Sequence, residues 1–143
     1  MSTLRSLVEK HYQQINTQDN STLLEVFSPD VETTAPGAGT MRGLEPFAAY
    51  GQAFYTAFPD GRIHLKTVVE SGDTIMVEGN FTGTNTGRMA GPAGDIPPTG
   101  RQIDLPFCDV FQARDGRFMG HRLYFDQVIM LTQLGLMPAP PAA

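Results

Sequence analysis

RQIDLPFCDVFQARDGRFMGHRLYFDQVIMLTQLG, residues 101–135, reads as two strands joined by a tight turn and closed by a short helix. Asp115-Gly116 is the hairpin signal, because both residues tolerate the positive φ that a two-residue turn demands. Strand residues two apart share a face, so Phe107, Asp109 and Phe111 point one way and Cys108 and Val110 the other. On the second strand Arg122, Tyr124 and Asp126 form one face, and His121, Leu123 and Phe125 the opposite one. Asp109 and Asp126 each interrupt an apolar run. An ionised carboxylate buried without partners costs several kcal/mol, so such an acid must find hydrogen bonds, raise its pKa or serve a site.

The N-terminal half has a different period. Leu4, Leu7, Val8, Tyr12 and Ile15 mark one face of a helix over residues 4–16, with Ser2 or Thr3 to cap it. A second, short helix is expected over 21–27, ended by Ser28-Pro29-Asp30 and followed by a strand over 31–35. Phe47, Gly51, Phe54 and Phe58 recur at steps of three and four, which predicts a third helix over 45–58 with Pro46 in its first turn. From Arg62 the period becomes two: Ile63, Leu65, Thr67 and Val69 make one face of a strand, and 74–84 is its antiparallel successor. Between Asn85 and Gly100, Gly87, Gly91 and Gly94 with Pro92, Pro97 and Pro98 predict a long mobile loop without regular structure. Three helices followed by antiparallel strands specify an α+β domain whose helices cover one face of a curved sheet. Such a sheet encloses an apolar cone, a usual place for a small-molecule site.

At 143 residues the chain is expected to make a single domain, 1–143, with its folded core over about 3–136 and a disordered tail over 137–143. Ten Lys and Arg, scattered through a chain of net charge −5, leave no basic footprint for nucleic acid or an anionic membrane. The lone Cys108 excludes an intramolecular disulfide and suits a reducing compartment. MSTLRSLVEKHYQQ carries charge inside its apolar pattern, unlike a signal peptide, so a cytoplasmic location is expected. No metal site is expected, since His11, His64 and His121 show no paired spacing. The glycine groups GAGT and GPAGD lack the lysine and hydroxyl of a phosphate loop.

Asp126 stands where the second strand enters the terminal helix, so it is either an N-cap or a site residue. Asp109 has less structural excuse in mid-strand, although an ion pair with Arg122 or Arg101 would account for it. If the two acids face one cavity, their repulsion raises one pKa and readies that group for proton transfer near neutrality.

GHRLYFDQVIMLTQLG, preceded by PPTGRQIDLPFCDVFQARDGRF, resembles the closing part of the SnoaL-like polyketide cyclase family, within the nuclear transport factor 2-like superfamily. YQQINTQD and RGLEPFAAYGQAFYTAFPDGRI support the same resemblance. It implies a cone-shaped α+β barrel, a homodimer or higher homo-oligomer, and a deep pocket for a small apolar or aromatic molecule. It further implies cofactor-independent, aldol-type ring closure, with the final-strand aspartate, here Asp126, as general acid/base. Asp109 falls at a pocket position that is histidine in the family's cyclase, and Phe107 at one that is glutamine. The candidate catalytic residues are therefore Asp126 and Asp109, and the candidate substrate-binding residues are His11, Tyr12, Phe54, Phe107, Phe111, Arg122 and Tyr124. Tyr124, Arg122, His11 or a protonated Asp109 would supply the oxyanion donor. Isomerases and epoxide hydrolases of the same superfamily use carboxylates in the same cone, and a non-catalytic binding or dimerisation module is the remaining alternative.

Overall fold

The computed structural model describes residues 3–91 and 94–138. Helix α1, Thr3–Asn16, buries Leu7, Val8, His11, Tyr12 and Gln14 along one side. A single 3-10 turn, Leu23–Glu25, stands where the short second helix was expected. The chain extends early because strand β1 already begins at Phe27 and runs to Ala35. The N–H of Phe118 donates to the Val26 carbonyl, 2.9 Å, which ties this entry to the sheet. Strand β2, Gly39–Arg42, folds back on β1, and helix α2, Leu44–Ala57, follows as the aromatic spacing predicts. The remaining elements are β3 (Arg62–Ser71), β4 (Thr74–Thr84), β5 (Met89–Gly91), β6 (Gly94–Ile96), β7 (Gln102–Arg114), β8 (Arg117–Phe125) and α3 (Gln127–Gln133).

Six strands form one curved sheet in the order β2-β1-β8-β7-β4-β3, with β1 parallel to β8 and the other neighbours antiparallel. Helices α1 and α2 cover its inner face, the α+β architecture expected from the alternation of periods. Between them lies a core of Val8, Phe27, Phe47, Phe58, Ile75, Val77, Leu105, Phe111 and Phe118. Pro29, which has no N–H to give a ladder, sits where the β1–β8 register shifts between Phe27 and Glu32.

Two sequence expectations change here. β3 carries a bulge between Leu65 and Thr67, so its inward face switches phase. Ile63 and Val68 pack on the core, whereas Leu65 and Val69, expected beside Ile63, are 42% and 57% exposed. The connection 85–100, expected to be irregular and mobile, contains the β5–β6 ribbon and is pinned at its neck by Asn85. The Asn85 side-chain amide donates to the carbonyls of Ala57 and Gly87, at 3.1 and 2.9 Å, and its Oδ1 accepts from the N–H and hydroxyl of Thr99, at 2.8 and 2.9 Å. All its side-chain capacity is used, so one fully buried residue closes the loop. Of the tail expected to be disordered, residues 139–143 lie outside the described residues.

Candidate functional site

The register of the β7–β8 hairpin decides which side chains meet. Asp115 and Gly116 have φ of 54° and 82°, the paired positive values of a type I′ turn, and Arg114 pairs with Arg117. Continued without interruption, that ladder would set Asp109 opposite Arg122. Instead Gln112 pairs with Gly120 while Ala113 pairs with Phe118, leaving Met119 as an extra residue on β8. Beyond this bulge Asp109 faces Leu123, Phe111 faces His121 and Phe107 faces Phe125. A one-residue shift exchanges the two faces of a strand. The sequence left open whether Asp109 and Asp126 face one cavity; in this register they do not, and the neighbours of Asp109 are His121, Leu123 and Phe125 rather than Arg122, Tyr124 and Asp126.

This inner face, with α1 and α2, encloses a cavity of about 120 Å³. Its wall is mostly apolar, including Phe47, Phe54, Phe81, Leu105, Phe107 and Phe125. Asp109, His121, His11 and Gln14 bring polar groups to it. Asp109 is only 4% exposed. Its Oδ2 accepts the Tyr12 hydroxyl at 2.5 Å, and its Oδ1 lies 2.7 Å from His121 Nε2. Both oxygens are engaged, which answers the cost of placing a carboxyl among aromatic rings. The His121 ring stacks on Phe111, centroids 4.6 Å apart and 7° from parallel, so its orientation is fixed. Its Nδ1 is buried without a partner among the described residues.

Electrostatics sort the remaining groups. Burial, then the neighbouring Asp109 charge and hydrogen bond, hold the Tyr12 phenol well above its ordinary pKa, so it remains a donor. His11 is pushed from 6.5 to about 4, chiefly by burial and next by the charge on His121, against the opposing pull of Asp109 and Gln14. It is therefore neutral at pH 7. Burial also raises the cavity-lining Tyr55, to about 12. The Tyr50 hydroxyl donates to the Pro36 carbonyl at 3.0 Å. No three His, Cys, Asp or Glu side chains converge as a metal-ligand set among the described residues.

The model of the SnoaL-like polyketide cyclases matches residues 6–134. The chain belongs to that family. No curated protein matches. Among solved structures, a candidate SnoaL-like polyketide cyclase from Jannaschia sp. CCS1 superposes with a TM-score of 0.84 at 20% identity, over 95% of this chain and 94% of that one. IdmH, a candidate polyketide cyclase from Streptomyces antibioticus, gives 0.79 at 28% identity over 92% and 98%. AclR, a candidate hydroxylase from Streptomyces galilaeus, gives 0.82 at 20% identity over 96% and 84%. In this SnoaL-like protein no helix of the described residues is long and apolar enough to cross a membrane.

The sequence candidates separate into three groups in the SnoaL-like fold. His11, Phe54, Phe107 and Asp109 line the cavity. Tyr12 and Phe111 stand behind it, bonded to Asp109 and stacked on His121. Arg122 and Tyr124 lie on the other face of β8, where Tyr124 is 53% exposed, so neither is an oxyanion donor for this cavity. Asp126 is not brought to it either. It is the N-cap of α3, its Oδ1 accepting the N–H groups of Val128 and Ile129 at 2.8 and 3.2 Å. Sequence reasoning left His121 without a role and passed over Gln14. Gly120 was the available signal, since an isolated glycine in a strand pattern marks a bulge, and a bulge there turns His121 toward Asp109.

Proposed function

We propose that this SnoaL-like protein is a cofactor-independent enzyme performing acid/base, aldol-type ring closure on a small apolar polycarbonyl compound. The Asp109–His121 pair carries the proton. One observation supports this most: a carboxyl group in an apolar cavity wall has both oxygens held, one by Tyr12 and one by His121. IdmH, described as a candidate polyketide cyclase and 28% identical, supports the same class.

Ring closure needs a base for a C–H beside a carbonyl and an acid for the alkoxide that forms, and one pair serves in turn for both. Asp109 accepts the carbon-bound proton, the enolate carbon attacks a second carbonyl of the same molecule, and the proton returns to the new alkoxide oxygen. A C–C bond forms, a C=O π bond breaks, and no oxidant or reductant enters. The dry wall strengthens each electrostatic contact, and Tyr12 and His121 hold Asp109 in one orientation. Asp126 is assigned the capping role. The test is ring closure of a linear aryl β-polycarbonyl methyl ester followed by absorbance. Asp109→Asn should lower kcat by at least about 100-fold while the thermal transition persists. Unchanged kcat would return the protein to the small-ligand-binding alternative.

A further inference from the structure

Two histidines border the same cavity, yet they are held by opposite nitrogens. His121 is tied through Nε2 to Asp109. His11 is approached at Nδ1 by Gln14 Oε1, at 3.5 Å, and its Nε2 has no protein partner among the described residues. The amide of Gln14 cannot be turned around. Its other terminal atom is 2.8 Å from the Thr22 carbonyl oxygen, which only accepts, so that atom is the NH2 nitrogen; it also donates to the Thr22 hydroxyl at 2.9 Å. Oε1 is thereby aimed at His11 and can only accept. The hydrogen of a neutral His11 then belongs on Nδ1, because the other tautomer would set two lone pairs against each other.

From this geometry we infer that Gln14 is a positioning residue that fixes the His11 tautomer and leaves Nε2 as a bare acceptor. The ligand of the cavity is then an apolar molecule bearing a hydroxyl or enol O–H that donates to it. This deepens the acid/base assignment and rests on the same cavity being the ligand site. Surrounding groups agree with it. Phe27 meets the His11 ring edge-on at 4.8 Å, and Phe47 and Phe111 lie at 6.0 and 5.7 Å, so little besides the ligand can reach the ring. The titratable neighbours are His121, Asp109 and Tyr12; burial and the charge on His121 outweigh the opposing pull of Asp109 and Gln14 and keep His11 unprotonated at neutral pH. Asp109 adds a second acceptor to the same wall, so the cavity favours a ligand that donates.

The test compares 2-naphthol with 2-methoxynaphthalene, in which a methyl group replaces the hydroxyl hydrogen, and reads the imidazole tautomer by 15N NMR. The unmodified protein should show His11 with hydrogen on Nδ1, and should bind naphthol about tenfold more tightly than the ether, the size expected for one buried hydrogen bond. Gln14→Met should mix the tautomers and shrink that preference. His11→Phe should abolish it. Hydrogen on Nε2, an imidazolium at neutral pH, or equal affinity for the two probes in the unmodified protein would overturn the inference whether or not any variant folds. A Gln14→Met protein with tautomer and preference unchanged would overturn the role of Gln14. No readout needs turnover, so kinetic failure of the Asp109 assignment is a separate result.

Discussion

Asp109 and Asp126 belong to one hairpin, each set in an apolar stretch, and they meet opposite fates. Around Asp109 the sheet, α1 and α2 bury the carboxyl group, and both oxygens are taken by side chains distant in sequence, Tyr12 and His121. Around Asp126 the chain turns at the surface, and the carboxylate binds backbone amides two and three residues ahead. The lesson is that an acid's chemistry follows from its partners and its dielectric more than from its neighbours in sequence. A capping carboxylate in water trades one set of hydrogen bonds for another, whereas an enclosed one depends on each partner it has.

Substitutions should expose that contrast. Truncation by Asp109→Ala, which leaves His121 and Tyr12 facing a void, should cost about 3–5 kcal/mol by urea denaturation; a loss as small as that at Asp126 would erase the distinction. Next in size is a pH effect. The folded-state value of His11, about 4, lies below its unfolded value of 6.5, so the unfolded chain binds the proton more readily. The associated stability is fully present above pH 6.5, is lost as pH falls toward 4, and amounts to roughly 3 kcal/mol. Thermal midpoints between those pH values should therefore fall less steeply in His11→Phe than in the unmodified protein; parallel curves would contradict the depressed value. Tyr12→Phe removes one of the two bonds to Asp109 and should cost about 2 kcal/mol. Smallest is the corner: Asp126→Ala should cost about 1 kcal/mol and Asp126→Asn almost nothing, because asparagine caps as well as aspartate. A collapse of ring closure in Asp126→Asn would sharpen matters differently, by giving that corner a part in the chemistry.

Much of this was legible because it is local. The apolar spacing of α1 and α2, the change of period at Arg62 and the Asp115-Gly116 turn each fit within a few residues, and the structure keeps them. What the residues hid was register. The bulges at Leu65/Thr67 and at Met119 each change which residues face inward, and no periodicity count detects a single extra residue. The expected helix over 21–27 shrank to Leu23–Glu25 because pairing with β8 pulls Phe27 into a strand. The Tyr12–Asp109 contact spans 97 positions, which no local pattern encodes. The residues left Asp126 as a cap or a site residue and the family resemblance made it the general acid/base; in the structure its carboxylate binds the backbone amides of Val128 and Ile129 as the cap of α3.

The extra residue in β8 has an evolutionary reading as well. Ordinarily a one-residue deletion in a strand turns every later side chain to the wrong side. Loss of Met119 would do the reverse: Phe118 would stay opposite Ala113, Gly120 opposite Gln112 and His121 opposite Phe111, now in an unbroken ladder. Position 119 is thus a place where a lineage can drop a residue and keep every β8 side chain that lines the cavity. The same deletion anywhere between His121 and Phe125 would remake the pocket at a stroke.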